Sequence, residues 1–127
     1  MRVALIDDSR LVRNDWEDEL ENEFAFEAFP STPAFWAACE ADPQGVNRWK
    51  LVVTDFNFAP DDPADGASFA RDLRAKGFEG IIALASGERI SDPSVASLFD
   101  IDFGKELPSA KKVRECYDAA RLKKARA

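Results

Sequence analysis

Arg2–Asp8, with the sequence RVALIDD, joins a short apolar run to two carboxylates at the point where the run ends. Leu51–Asp55, LVVTD, repeats this arrangement with one carboxylate, and Phe99–Lys105 leads a weaker run into a lysine. A continuous apolar run of this length is typical of a strand covered on both faces, as in a parallel sheet. If the three runs are neighbouring parallel strands, the acids and the lysine meet at the sheet edge where open α/β sheets bind ligands.

Short apolar runs alternate with helical patterns along the whole chain. We predict strands at 2–6, 24–29, 51–55, 81–85 and 101–105, and helices at 9–20, 31–40, 66–76, 91–99 and 109–124. Strict alternation of this kind, (βα)5, predicts an α/β fold with a parallel sheet covered by helices on both faces. The length suits one domain over residues 1–127, whose last helix could lead into an output region of a longer protein.

The first and last helices carry predicted core faces. Apolar residues recur at helical spacing in both, which indicates the side that packs on the sheet. In the first helix these residues are Leu11, Val12, Trp16 and Leu20, and in the last helix they are Val113, Cys116, Tyr117, Ala120 and Leu122.

The charge of the chain is unevenly distributed. The net charge is −7, which argues against nucleic-acid binding by this domain. Residues 109–127 nevertheless carry seven Lys or Arg and two acids, a local charge of +5 against −12 for the rest. A solvated helix whose cations suit its C-terminal dipole explains this run. The alternative is a face that binds a partner.

The cysteine and histidine content limits the possible chemistry. Cys39 and Cys116 lie far apart and in no metal-binding spacing, and no apolar stretch has the length of a membrane span. The start of the chain does not have the pattern of a signal peptide. We therefore expect a cytoplasmic protein with reduced thiols. The chain has no histidine, so its chemistry depends on carboxylates, hydroxyls, amines or a metal.

Three carboxylates at one sheet edge would repel each other unless a cation joined them. Asp7, Asp8 and Asp55 offer the oxygen ligands that hard divalent cations prefer. Helix capping explains one of these acids but not all three. With Lys105 beside them, they predict a site that handles phosphate.

The arrangement resembles the receiver domain of bacterial two-component response regulators. The residues that carry this resemblance are Leu5-Ile6-Asp7-Asp8-Ser9, Val52-Val53-Thr54-Asp55 and Gly104-Lys105, and the element order agrees over essentially the whole chain. The resemblance implies a flavodoxin-like, doubly wound fold with strand order 2-1-3-4-5.

The resemblance also implies roles for individual residues. Asp55 would be the phosphoacceptor and Asp8 a direct ligand of Mg2+, with Asp7 holding the metal through water. Asn57 would offer its backbone carbonyl to the metal, and Lys105 would pair with the phosphoryl oxygens. These roles agree with the requirements of phosphoryl transfer, which depends on positioning and on charge neutralisation.

The switch region departs from the family pattern at three positions. The family has Thr or Ser at the end of strand four, where the count from the apolar run gives Ala85, and Ser86 follows one residue later. A one-residue slip reverses side-chain direction, so either Ser86 supplies this hydroxyl or none is present. Asp102 replaces the usual aromatic residue and could pair with the basic last helix. Glu106 stands where the family usually has a proline.

The segment 56–66 is longer than the usual connection by about three residues and carries Asp61, Asp62 and Asp65. A solvated insertion is the simpler interpretation, because surface loops tolerate added length. An altered gate for kinase, phosphatase or metal is the alternative.

Two functions follow from the resemblance. In the first, the chain accepts a phosphoryl group from a sensor histidine kinase or phosphotransfer protein. It then changes a surface formed by the fourth helix, fifth strand and fifth helix, where an unidentified downstream protein or a second copy would bind. Its only catalysis would be its own phosphorylation and dephosphorylation. In the second, the chain is a pseudo-receiver that binds partners constitutively, as Ala85, Asp102 and Glu106 suggest.

Overall fold

The chain alternates strands and helices as predicted. The computed structural model describes residues 1–126. The strands are β1 Arg2–Ile6, β2 Ala25–Phe29, β3 Leu51–Thr54, β4 Ile81–Leu84 and β5 Ile101–Asp102. The helices are α1 Arg10–Leu20, α2 Thr32–Glu40, α3 Gly66–Ala75, α4 Pro93–Ala96 and α5 Ala110–Ala125, with a 3-10 turn at Gly45–Arg48.

The five strands form one parallel sheet in the order β2-β1-β3-β4-β5. This confirms the predicted α/β, doubly wound flavodoxin-like fold. The register aligns Ile6 of β1 with Thr54 of β3, and Thr54 with Leu84 of β4. The residues that follow these three strands therefore come to the same edge of the sheet. No helix in the described part of the chain is long and apolar enough to cross a membrane.

Helices on both faces of the sheet create two cores. β1, β3 and β4 are buried over consecutive residues because successive side chains point into opposite cores. One core lies beneath α2 and α3 and includes Phe35, Trp49 and Phe69. The other lies beneath α1 and α5 and includes Trp16 and Tyr117. β2 is an edge strand with an alternating burial pattern, as its sequence predicts.

Side chains cap the helices at their amino ends. Ser9, Ser31 and Ser109 each accept a hydrogen bond from a backbone N–H in the first turn of α1, α2 and α5. Asp65 does the same for α3 and completes a capping box with Ser68. These caps fix where four of the helices begin, and Ser9 also donates its backbone N–H to Asp7 of the predicted site.

Two leucines predicted for the core are exposed. Leu11 has 71% of its surface exposed, and Leu122 has 52%. Leu11 lies about 100° around α1 from the row Val12, Trp16 and Leu20, which faces the sheet. Leu122 lies about 140° around α5 from Tyr117, which is buried. Tertiary packing thus selects a narrower face of each helix than the sequence predicts.

Elements near the end of the chain are shorter than predicted. α4 has four residues, and β5 has two. The extension of β5 to Lys105 is wrong, because the Asp102 carboxylate accepts a hydrogen bond from the Gly104 N–H at 2.8 Å and the chain turns there. Gly104 has φ of +69°, a left-handed conformation that favours glycine.

Candidate functional site

Three carboxylates converge at the carboxyl ends of β1 and β3. Oxygen atoms of Asp7, Asp8 and Asp55 lie within 4.8 Å of one another. Asp7 is buried, Asp55 is half-buried and Asp8 is exposed. The structure therefore brings together the three acids that the sequence placed at this edge. The cluster is therefore reached by solvent from the side of Asp8, while Asp7 lies on its buried side.

Local hydrogen bonds hold Asp7 in place. Its Oδ1 accepts from the Ser9 N–H at 2.8 Å, and its backbone carbonyl accepts from Nη1 of Arg13 at 2.8 Å. Its own N–H donates to the carbonyl of Phe29 in the neighbouring strand β2. The position of Asp7 is thus set by α1 and β2 together, and Arg13 places a positive charge close to the acids.

Asp55 is held in a similar way from the β3 side. Its N–H donates to the carbonyl of Ile6 at 3.1 Å, which extends the pairing of β3 with β1. Its Oδ1 accepts from the Phe56 N–H at 2.7 Å. The hydroxyl of Thr54 donates to the Asp55 carbonyl at 2.8 Å. The carboxylate consequently has a fixed orientation at the end of the strand.

The electrostatics of the cluster favour protonation in the absence of a cation. Burial raises the pKa of Asp7 to about 6, the Ser9 N–H opposes this rise, and the nearby charges of Asp55 and Asp8 add to it. Burial also raises the pKa of Asp55, against the hydrogen bonds from Phe56, Ser86 and the Asn57 backbone. Both shifts arise chiefly from burial, and repulsion from the neighbouring carboxylates makes a smaller contribution.

Lys105 lies in the same cleft as the acids. The cleft has a volume of about 180 Å3, and Asp7, Asp55, Ser86 and Lys105 all line it. Lys105 is exposed, and its side chain runs past Gly87. The lysine predicted from the end of the fifth apolar run is therefore at the site, although it follows a turn and not a strand.

Ser86, and not Ala85, supplies the hydroxyl beside Asp55. β4 ends at Leu84, and the side chain of Ala85 packs against the core beneath α1 and α5. Burial raises the pKa of Asp55, and the nearby Ser86 hydroxyl opposes this rise. It also accepts from the Glu88 N–H at 3.1 Å. Ala85 keeps the strand alternation, because Ile81, Ala83 and Ala85 all pack against this core and the Ala85 N–H donates to the carbonyl of Thr54. The next residue, Ser86, is therefore the one that lies beside Asp55.

Asn57 is exposed, and its side chain contacts Glu88, a residue that the sequence did not single out. Nδ2 of Asn57 donates to Oε1 of Glu88 at 3.2 Å. This contact links the loops that follow β3 and β4. The two residues are 31 positions apart in sequence, so no local pattern predicts that they meet.

The long segment between β3 and α3 is attached to α2. Asp62 accepts hydrogen bonds from the N–H of Thr32 at 2.8 Å and from its hydroxyl at 2.6 Å, and Thr32 is buried. Asp65 caps α3, whereas Asp61 is exposed. Asp61 and Asp65 are both exposed, as expected for a solvated insertion, whereas Asp62 bonds to a neighbouring helix.

Gly66 closes this segment against the site. Its N–H donates to the carbonyl of Phe56 at 2.7 Å. A Cβ at this position would lie 2.5 Å from the carbonyl oxygen of Asp55 and 2.7 Å from the Cα of Phe56. The loop therefore returns in direct contact with the backbone that carries Asp55.

The remaining departures concern residues on the Lys105 side. Asp102 is exposed, and its carboxylate accepts from the Gly104 N–H. The expected pairing of Asp102 with the last helix is therefore not observed. Lys124 of α5 pairs with Asp100 instead, at 3.3 Å. Phe103 is buried and packs edge-to-face on Trp16, with ring centroids 5.9 Å apart. All peptide bonds between described residues are trans.

Comparison with solved structures identifies proteins of the same fold. A response regulator receiver domain protein from Clostridium thermocellum aligns with a TM-score of 0.75 at 14% identity, over 98% of this chain and 96% of that one. A CheY-like receiver domain protein from Methanospirillum hungatei gives 0.75 at 15% identity, over 99% and 98%. The response regulator TrrA from Thermotoga maritima, in complex with Mg2+ and BeF, gives 0.73 at 16% identity, over 94% and 97%.

Comparison at the level of sequence finds no relative. No protein-family model matches the chain, and no curated protein matches it. The structural likeness covers nearly the whole chain in each of the three cases above. The chain therefore has the fold of response regulator receiver domains.

Proposed function

We propose that the chain is a receiver domain of a two-component system, in which Asp55 accepts a phosphoryl group from a phosphohistidine donor. The observation that carries this proposal is the convergence of Asp7, Asp8 and Asp55 within 4.8 Å, beside a cleft that Asp7, Asp55 and Lys105 line together. In this reaction a carboxylate oxygen of Asp55 attacks phosphorus, the bond from phosphorus to the donor's imidazole nitrogen breaks, and an acyl phosphate forms.

The contacts of Asp55 suit it to be the nucleophile. Its Oδ1 is engaged by the Phe56 N–H, so Oδ2 is the oxygen that we assign to the attack. The side chain is half-buried, which leaves it accessible from the cleft while part of its hydration is removed. In-line attack requires a fixed carboxylate, and the bonds to Ile6 and Phe56 provide one.

The donor set fits Mg2+. Asp8 and Asp55 offer carboxylate oxygens and Asn57 a backbone carbonyl, while Asp7 would act through a bound water. The raised pKa values of Asp7 and Asp55 support this fit, because they reflect negative charge that a cation would compensate. When bound, Mg2+ neutralises the charge on the transferred group's oxygens.

Lys105 and Ser86 lie where they could contact the transferred group. A lysine is a compact charge that pairs with phosphate oxygens, and Lys105 lines the same cleft as Asp55. The Ser86 hydroxyl lines this cleft too and accepts a hydrogen bond from the Glu88 N–H. We assign Lys105 to the phosphoryl oxygens, and Ser86 to a hydrogen bond that its hydroxyl donates to the modified Asp55.

Exposed apolar side chains near the cleft support a protein donor. Leu11 follows the acid pair by three residues and is 71% exposed, and Leu107 follows Lys105 by two residues and is 44% exposed. Isolated exposed leucines are common, but two beside a charged cleft suit a transient protein contact. The donor in this proposal is a sensor histidine kinase or phosphotransfer protein, and the reaction takes place in the cytoplasm.

Intact mass tests the proposal directly. The protein is incubated with Mg2+ and acetyl phosphate, and a gain of one phosphoryl group is expected. Asp55→Asn should abolish this gain, because the amide cannot act as the nucleophile. Asp61→Asn is the matched control, since it removes an exposed carboxylate of the same loop outside the cluster. Persistent labelling of Asp55→Asn, or labelling without Mg2+ at the full rate, would contradict the assignment.

The second candidate function is that of a pseudo-receiver, which binds partners without being phosphorylated. The segment from α4 to Phe103, which would report phosphorylation in a receiver, favours this candidate. Phe103 is packed on Trp16, and α4 is a single turn. A constitutive binding domain needs neither to move. Beryllofluoride with Mg2+ separates the two functions, because it mimics the phosphoryl group on Asp55. Absence of any change in the amide spectrum of the folded protein would favour the pseudo-receiver.

A further inference from the structure

A second cleft lies at the opposite edge of the sheet, where β3 and β4 begin. Its volume is about 540 Å3, which is within the range of small-molecule sites. Trp49 and Ile81, at the amino ends of these strands, line it, and residues 114–124 of α5 line it from the helix side. We call it the basal cleft. It shares no lining residue with the cleft of the acid cluster.

Cations from two elements converge on the basal cleft. Lys50 reaches it from the start of β3, and Arg114, Arg121 and Lys124 reach it from α5. Spacings of seven and three residues place the three α5 cations on one face of the helix. In a chain with a net charge of −7, this concentration of positive charge is a local reversal.

Most of these cations are not neutralised by the protein. Within residues 1–126, Lys50, Arg114 and Arg121 form no ion pair, and Lys124 pairs only with Asp100. The cleft also contains the acids Glu79 and Asp118. Its formal charge from these six side chains is therefore +2.

Two of the cations are oriented in advance. The guanidinium of Arg114 lies over the ring of Phe24, 4.8 Å from its centroid. Asp100 holds Lys124 at 3.3 Å. The lining residues Trp49 and Tyr117 are buried, so this part of the cleft is less polar than open solvent and strengthens charge interactions. These two contacts restrict the Arg114 and Lys124 side chains, although Phe24 and Asp100 lie outside the lining of the cleft.

We propose that the basal cleft binds a small polyphosphate anion, such as pyrophosphate or the phosphate chain of a nucleotide. Guanidinium groups match phosphate oxygens in pairs, and two of the four cations are arginines. A multivalent anion offsets the repulsion among the cations, much as a cation offsets the repulsion within the acid cluster. This proposal does not depend on phosphorylation of Asp55.

Calorimetric titration with pyrophosphate tests the proposal. Protein and buffer are freed of divalent metals on a chelating resin, so that the acid cluster cannot hold the anion through a metal. We expect a single site with a dissociation constant below about 1 mM. Arg114→Gln combined with Arg121→Gln should weaken it about tenfold or more, since charged hydrogen bonds to the anion are lost. Asp55→Asn should bind as the wild type does.

A matched variant separates a site from a generally basic helix. Lys111→Gln with Lys112→Gln removes the same charge from α5, at positions outside the cleft. We expect this pair to change the affinity less than threefold at fixed ionic strength, because charges outside the cleft act on the anion only through screened, long-range interactions. Equal weakening by both pairs overturns the proposal, as does the absence of binding to folded wild-type protein.

Two further measurements distinguish phosphate from other anions and separate loss of binding from loss of folding. Citrate carries a similar charge on carboxylates, and equal affinity for citrate overturns the assignment to phosphates. Arg121→Gln alone leaves the contact of Arg114 with Phe24 intact, so its loss of affinity is interpretable even if the double variant is unstable. Amide shifts induced by pyrophosphate should centre on Lys50 and Tyr117, and shifts confined to the acid cluster would also overturn the proposal.

Discussion

The loops after β1 and β3 differ sharply from the segment between β4 and the end of β5. In the first region, which we call the acceptor region, Asp7 and Asp55 are fixed by backbone hydrogen bonds, and Asp62 attaches the long loop to α2. In the second, which we call the readout region, no residue from 85 to 102 is buried. The comparison indicates that the chemistry of this site is built in advance, while the surface that would report it is loosely packed.

Segments with few buried contacts open at low free-energy cost. The readout region has a one-turn helix and a two-residue strand. A phosphoryl group that stabilises one arrangement of Ser86 and Lys105 by a few kcal/mol could therefore order this region without disturbing either core. The downstream surface expected from the fourth helix, fifth strand and fifth helix then depends chiefly on α5, which is its longest element.

The acceptor and readout regions should differ most in how much stability each loses when one of its glycines is replaced by alanine. Gly66→Ala places a Cβ 2.5 Å from the Asp55 carbonyl, and backbone atoms on both sides prevent relief. We expect a loss of about 3 kcal/mol in the free energy of unfolding, together with loss of phosphorylation. Urea denaturation and intact mass after acetyl phosphate treatment measure the two effects.

Gly87→Ala is the matched substitution in the readout region. Its Cβ would lie 3.7 Å from the Cβ of Lys105, an ordinary contact. We expect a change within about 0.5 kcal/mol, as for other exposed sites. Similar losses for Gly66→Ala and Gly87→Ala would show that the two regions are equally constrained, and the comparison would fail.

Asp7→Asn should stabilise the metal-free protein at neutral pH. The pKa of Asp7 is about 6 in the folded chain and 3.8 ordinarily, so folding takes up a proton between these values. The stability contributed by this group is present below pH 4, falls as the pH rises through the window, and is lost above pH 6. The amide carries no charge and can still accept from Ser9.

The size of this effect depends on how far the pKa of Asp7 is raised, reduced by the screening of its charge by nearby solvent. We expect Asp7→Asn to gain about 1 to 2 kcal/mol at pH 8 and nearly nothing at pH 4. Denaturation in EDTA across this range measures the difference, with Asp61→Asn as the exposed control. Added Mg2+ should stabilise the wild type more than the variant. A gain that is the same at pH 4 and pH 8 would mean that the acid cluster is not its source.

Apolar runs predicted the strands of the acceptor region because β1 and β3 are buried on both faces, which leaves a continuous signal. The three acids followed from the same pattern, since residues after parallel strands share one edge. The choice between Ala85 and Ser86 did not follow, because an apolar run shows that a strand is present but not at which residue the strand ends. α4 and β5 were overextended for a related reason: partly exposed elements carry no clear period.

Contacts between distant segments had no signature in the sequence. The bond from Thr32 to Asp62 spans 30 residues, and that from Asn57 to Glu88 spans 31. Each depends on the register of two loops, which is set only after the sheet has formed. The exposure of Leu11 and Leu122 also could not be predicted from local sequence. The helical period indicates a broad apolar face, and the neighbouring elements decide which part of that face is buried.

The smallest expected effect concerns the carboxylate that anchors the readout region. Asp100 accepts from the Ile82 N–H at 2.9 Å, pairs with Arg74 at 2.9 Å and contacts Lys124. Asp100→Asn keeps an oxygen for Ile82 but removes the charge from both pairs. Because these pairs are partly exposed, we expect a loss of only about 1 kcal/mol in global stability.

Hydrogen exchange shows whether Asp100→Asn destabilises only the readout region or the whole domain. If the readout region opens independently, Asp100→Asn should speed exchange of amides near 82 and 100–104 while those of β1 and β3 change little. Asp62→Asn is the counterpart in the acceptor region, where it should speed exchange at Thr32 and Ala64, whose N–H groups it holds. Uniform acceleration by Asp100→Asn across all strands would instead mean that both regions unfold as one unit. A receiver of that kind would have to transmit phosphorylation through the whole sheet, since no separately ordered segment would remain to report it.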